Sequence, residues 1–247
     1  MTYCIGLNLE QGLIFASDSR TNAGVDDVRR AGKMRVFAQD GERVIVTLSA
    51  GNLSVTQNAL NLLEHRATQG GAPGLYSAGS MFEVATLVGD AMREIRKRDE
   101  PYLRDSGVDA SASFIVGGQI AGETPRLFLV YSEGNFIESN PETCWFQSGE
   151  AKFGKPILDR VITPQTPLVE AAKCALVSFD STMRSNLSVG PPIEVLAYRR
   201  DALVVDNRQR LDDDDPYLNT VRTHWNDSLR AALASLPPPG WLPGTGA

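Results

Sequence analysis

Thr2 stands directly behind the initiator Met. A small second residue commonly allows that Met to be removed, and a threonine so exposed carries a hydroxyl and a free α-amine on one residue. An unperturbed α-amine has a pKa near 7.7–8.0, so it can take the hydroxyl proton close to neutral pH. Taken alone the position says little, because a threonine there is as readily the start of a strand. Three further features join it. Asp18 lies in Ser17-Asp18-Ser19-Arg20, Lys33 in Gly32-Lys33-Met34, and Ser49-Ala50-Gly51-Asn52 joins a strand end to a helix start, where backbone N–H groups point outward. Each has an ordinary reading: a turn aspartate, a surface lysine, a loop glycine. Together they supply a nucleophile, a cation with an orienting carboxylate, and a donor for an oxyanion.

Other reactive side chains carry weaker arguments. His65 and His224, the two histidines, fall on helical segments among polar neighbours and read as surface or boundary residues. Neither sits beside a loop nucleophile, and zinc would need more ligands. Cys4 on the first strand and Cys174 in a helix read as small packing residues, since no histidine is placed to activate them. The run Asp212 to Asp215 precedes a helix start, where carboxylates suit the positive end of the macrodipole, and it lacks the spacing of a calcium loop. The glycine-rich stretches 69–75 and 117–122 lack a phosphate-loop pattern.

The elements that must position the first group are two consecutive hairpins. Ile5, Leu7 and Leu9 alternate with Cys4, Gly6 and Asn8, turn at Glu10-Gln11-Gly12, and return as Leu13 to Ser17. After a looser polar stretch, Lys33 to Phe37 alternates again, turns at Gln39 to Glu42 and returns as Arg43 to Leu48. Asp18 thus falls at the sheet end near the start of the first strand. Two helical stripes follow, one through Val55, Ala59, Leu62 and Leu63, the other from Met81 to Ile95, with Ser80 as N-cap and Glu83 placed for a capping box. Gly70 to Gly74 connects them. Short strands are expected at 113–118, 126–131, 135–138 and 144–147, then helices over 152–161 and from about Pro167. Late strands at 193–198 and 202–205 precede a final helix capped by Asp215, with Leu218, Val221, Trp225, Ala232, Leu233 and Leu236 facing inward. Consecutive hairpins imply antiparallel sheets, and two grouped helix pairs imply two helical layers. An α+β four-layer α-β-β-α sandwich satisfies that order, as one domain over 1–236 with a Pro/Gly-rich tail over 237–247.

Composition narrows the function classes. Of 247 residues, 42% are apolar and 22% charged, the balance of a globular chain, and the net charge of -6 disfavours nucleic-acid or anionic-membrane binding. No apolar run is long enough to span a bilayer, and the first residues lack the basic start and apolar block of a secretory signal. Cysteines at 4, 144 and 174 have neither zinc nor disulfide spacing, so a cytoplasmic setting is expected.

Thr2, the segment GLIFASDSRTNAG, Lys33 and the Ser49-Ala50-Gly51 turn resemble the N-terminal half of proteasome β-type subunits, which are N-terminal-nucleophile (Ntn) hydrolases. MTYCIGLNL, SDSRTNAGVD and KMRVF most resemble the bacterial ancestral-β-subunit (Anbu) group. The resemblance runs over about residues 2 to 200 and is strongest in the first fifty-two. It implies the four-layer sandwich and a threonine-type peptidase, with Thr2 as nucleophile, Asp18 as carboxylate, Lys33 as ammonium and Gly51 as oxyanion amide. It further implies roles for Ser148, in Phe146-Gln147-Ser148-Gly149, and for Ser188, in the segment from Arg184 to Gly190. By analogy Thr21, Ala31, Arg35 and Ser49 line the substrate pocket, with Arg35 favouring acidic side chains. Three departures stand out: Lys33 is one residue closer to the aspartate than in typical proteasome subunits, as in the Anbu pattern, Ser185 occupies the place of the usual second aspartate, and Val189 that of a glycine. The resemblance also implies homo-oligomers, as rings or open helical arrays, acting on peptide or unfolded protein. It implies no metal, nucleotide or organic cofactor. Two alternatives stay open: a weak or inactive assembly subunit, and an Ntn amidase for small molecules.

Overall fold

The computed structural model describes residues 1–22, 28–69 and 74–241. The connector 70–73 and the tail beyond Trp241 lie outside the described residues. Two five-stranded antiparallel sheets carry the fold. In the first, β1 (Tyr3–Leu9) and β2 (Gly12–Asp18) form the centre, flanked by β10 (Trp145–Gly149) on one side and by β11 (Ile193–Arg199) and β12 (Arg208–Leu211) on the other. In the second, β5 (Met34–Gln39), β6 (Arg43–Gly51), β7 (Ala112–Ile120), β8 (Arg126–Val130) and β9 (Phe136–Glu138) pair in chain order.

Side-chain alternation explains how they stack. Leu13 and Phe15 of β2 meet Val44, Val46 and Leu48 of β6 between the sheets. Ile14 and Ala16 point the other way, with Ile5, Leu7 and Leu9, into a core closed by α3 (Lys155–Val161), α4 (Leu168–Ser185) and the start of α5 (Pro216–Ala234). Ile45, Val116 and Phe128 face α1 (Leu53–Gln69) and α2 (Met81–Asp105). The result is the expected four-layer α+β sandwich with three apolar interlayers. Because both faces of β2 are covered, all seven of its residues are buried, which is why its sequence reads as an almost unbroken apolar run.

Both expected caps form. Ser80 Oγ accepts from Glu83 N–H at 3.1 Å, although Glu83 reaches back to Gly79 N–H instead of Ser80. Asp215 Oδ1 accepts from Tyr217 and Leu218 N–H, both at 2.9 Å.

Four expectations are corrected. The polar stretch after Asp18 holds a small ribbon, β3 (Arg20–Asn22) paired with β4 (Val28–Arg30). Residues 202–205 form no strand, since Asp201 and Leu203 adopt φ of 63° and 47°; pairing with β11 resumes only at Arg208. Helix α3 begins at Lys155 and not at Lys152, because Pro156 has no N–H and fits only a first helical turn. The inward face expected of α5 ends early: Leu218 is buried and Val221 and Trp225 half-buried, whereas Leu233 and Leu236 are 70% and 63% exposed. No helix among the described residues is long and apolar enough to cross a membrane.

Candidate active site

The site forms where β1 begins. Cys4 lies opposite Ser17 across β1 and β2, so Asp18 comes level with Tyr3. Its Oδ1 accepts from Tyr3 N–H at 2.9 Å and from Lys33 Nζ at 2.6 Å. Lys33 also donates to the Arg20 carbonyl at 2.7 Å, while its own carbonyl accepts from Ser49 N–H at 3.0 Å. One lysine therefore ties the end of the first sheet to the start of the second. Asp18 is 0% and Lys33 4% exposed. Burial pushes the Asp18 carboxyl up, and the Lys33 ammonium and Tyr3 N–H act against it.

Thr2, two residues before Cys4, falls on the inter-sheet side of β1 by the same alternation, at the mouth of the slot. Its carbonyl accepts from Glu150 N–H at 2.6 Å. That approach needs Gly149, whose φ is +87° and whose place would set any Cβ against the Thr2 carbonyl. Thr2, Lys33, Ser49 and Gly51 line one cavity of about 220 Å³, together with Met1 and Arg20 among others. A larger apolar cavity of about 520 Å³, beside α4 and β11, contains none of the groups placed at the start of β1.

Gly51 ends β6 with φ +97°, where a side chain would strike the Ser111 carbonyl. Ser49 N–H donates across to Lys33, and two residues on, the Gly51 N–H falls on the same edge past the start of β5. The chain's α-amine, on Met1, lies below its ordinary 8.0. Burial lowers it most, then the Lys33 ammonium, against Asp18 and Glu150.

The other expected residues divide. Ser148 is buried on β10 opposite Cys4, with its Oγ hydrogen-bonded to Ser113 Oγ. Ser188 lies in the loop after α4, where its N–H donates to Asn186 Oδ1 at 3.0 Å, and it does not line the cavity. Ser185 is exposed, and Val189 is buried in the core under α4. Of the expected pocket residues whose side chains are described, only Ser49 lines the cavity. Ala31 is half-buried and bonds Ser19. Arg35 alternates away from the slot and pairs with Glu64 at 3.5 Å. The side chain of Thr21 lies outside the described residues. The guanidinium at the cavity is that of Arg20, whose Nη1 donates to the Leu187 carbonyl at 2.6 Å.

Sequence reasoning missed Arg20, and it missed Glu150 and Asn186. Their only signal is position: Arg20 follows Asp18 in the same segment, and Glu150 ends the strand segment carrying Ser148. His65 and His224 are exposed on α1 and α5, away from the slot. Burial pushes the Cys174 thiol up to about 11 and raises Cys4 further still, which keeps both from being thiolates.

Face-to-face antiparallel sheets between helices, with the chain start beside a buried lysine–aspartate pair, define a proteasome-like subunit of the Ntn-hydrolase class. Solved structures agree. Anbu, the ancestral beta-subunit, from Yersinia bercovieri is 46% identical with a TM-score of 0.90, over 96% of this chain and 99% of that one. The Anbu complex of Pseudomonas aeruginosa, a helical assembly, is 46% identical with a TM-score of 0.93, over 97% and 98%. Anbu from Hyphomicrobium sp. strain MC1 is 46% identical with a TM-score of 0.88, over 96% and 98%. The chain belongs to the Anbu family. No family model matches it, and comparison with curated proteins returns no match.

Proposed function

We propose that this chain is a peptidase subunit that hydrolyses peptide bonds with Thr2 as an N-terminal nucleophile, exposed by removal of Met1. The observation that carries this reading is the single cavity shared by Thr2, Lys33 and Gly51, backed by the buried Asp18–Lys33 pair. Met1 is itself a wall of that cavity. Its removal opens the space and transfers the α-amine to the residue bearing the hydroxyl.

In the first half-reaction Thr2 Oγ bonds to the substrate carbonyl carbon while the α-amine, directly or through a water, takes the hydroxyl proton. The carbonyl oxygen becomes an oxyanion, which the Gly51 N–H stabilises; losing one such donor costs other enzymes roughly 2.7–4 kcal/mol. Lys33, held by Asp18, stabilises the developing charge and disfavours the protonated amine through like-charge proximity. The C–N bond then breaks, the proton passes to the leaving amine, and an acyl-threonine remains. Water, deprotonated by the same amine, attacks the ester, and Thr2 leaves with its proton restored.

Self-association is part of the reading. The Pseudomonas relative is a helical assembly, and the apolar second half of α5 is exposed in this chain. Intact mass before and after a threonine-directed peptide electrophile tests the proposal. The expected result is a chain lacking Met1 that gains one inhibitor mass, a gain lost in Thr2→Ala with the fold retained. Unchanged labelling of Thr2→Ala rejects Thr2 as nucleophile.

A further inference from the structure

The mechanism leaves one buried carboxylate at the site without a task. Glu150 follows Gly149 at the end of β10 and is 5% exposed. Its main-chain N–H donates to the Thr2 carbonyl at 2.6 Å, one step beyond the Tyr3–Gly149 pair, so it stands beside the chain start. A buried carboxylate is costly unless its oxygens find donors. Glu150 finds two: Lys152 N–H to Oε1 at 3.1 Å and Asn186 Nδ2 to Oε2 at 2.8 Å. Asn186 Oδ1 in turn accepts from Ser188 N–H at 3.0 Å. Glu150 and Asn186 thus brace the loop after α4 against Thr2.

Four charged groups surround the amine and the cavity: Asp18 at the end of β2, Arg20 in β3, Lys33 ahead of β5, and Glu150 after β10. Asp18 is already committed to Lys33 at 2.6 Å. The Glu150 oxygens meet the neutral donors just named, which leaves its charge to act on the amine. Resting on the reading of Thr2 as nucleophile, we infer that Glu150 is a positioning residue: held by Asn186, its carboxylate anchors the terminal ammonium and sets where the base stands over the Thr2 hydroxyl. The electrostatics have the matching sign, since Glu150 favours the protonated amine while burial and Lys33 disfavour it.

The test compares wild type, Glu150→Gln and Asn186→Ala, with circular dichroism as the check on folding. The α-amine pKa is read by NMR after 13C reductive methylation, and the labelling rate by a peptide epoxyketone is followed against pH. In Glu150→Gln the amine pKa is expected to fall by about one unit, as for loss of a nearby opposite charge. Labelling should slow about 10-fold at its plateau, with its acid limb displaced to lower pH. Asn186→Ala should slow labelling with a smaller displacement, and Glu150→Asp should recover part of the loss. An amine pKa identical in wild type and Glu150→Gln overturns the inference. A wild-type chain that keeps Met1, or does not label, overturns the nucleophile instead; the amine pKa comparison still decides whether Glu150 holds the terminus.

Discussion

Lys33 Nζ and Asp18 Oδ1 are 2.6 Å apart at a point where the sheets meet and neither side chain reaches water to any extent. Their contact bridges two hairpins fifteen residues apart in sequence and holds an ammonium at the cavity that Thr2 lines. Removing one member of such a pair strands a buried charge. Lys33→Met should therefore cost about 3–5 kcal/mol, and adding Asp18→Asn, which keeps an acceptor for Tyr3 N–H, should restore the larger part. Urea denaturation of both single variants and the double variant measures this. A double variant no more stable than Lys33→Met would show that the pair is not what holds this junction.

The base should titrate early. The amine at the chain start is held below 8.0 by burial and Lys33, and Lys33 lines the same cavity as Thr2, so its charge also faces the α-amine that Met1 removal places on Thr2. A lowered pKa means more free base at neutral pH. Labelling should rise with pH, reach half-maximum below 8.0 and then level off. A half-rise at or above that value would mean that the amine is not the proton acceptor.

Gly51→Ala should damage both fold and chemistry. It forces a side chain into φ +97° and against Ser111, at a cost of about 1–3 kcal/mol. The variant keeps its main-chain N–H, so labelling should slow to the extent that the backbone shift relieving this contact moves that donor away from the oxyanion. Thermal denaturation and labelling kinetics on one preparation separate the two effects. Full-rate labelling by a destabilised variant would show that the chemistry does not depend on where the Gly51 N–H is held.

The end of α5 should matter to assembly and not to folding. Leu233 is 70% exposed in the chain, so Leu233→Asp should change folding stability by less than about 0.5 kcal/mol. Sedimentation velocity should show smaller species if this face joins two copies. An unaltered distribution would exclude it as a contact.

Local pattern made much of this legible. The alternation in β1 and β5 and the near-continuous run in β2 read directly as strands, because side-chain period and two-sided burial leave their mark on the residues themselves. The Ser80 and Asp215 caps were equally readable, since a cap is a contact within four residues. Residues 202–205 misled for the converse reason: they are apolar enough for a strand, and only the left-handed backbone at Asp201 and Leu203 shows that the chain turns there.

By itself the sequence determined which chemical groups exist and where each element would carry them: a threonine behind Met1, an aspartate at a strand end, a lysine opening the next hairpin and a glycine closing it. Only the tertiary structure decided that Arg20 and not Arg35 reaches the cavity, and that Glu150 and Asn186 stand beside the chain start. Glu150 and Asn186 are thirty-six residues apart and joined by a hydrogen bond between α4's trailing loop and a sheet edge. Periodicity records which face a residue occupies, but not which distant segment is packed against that face.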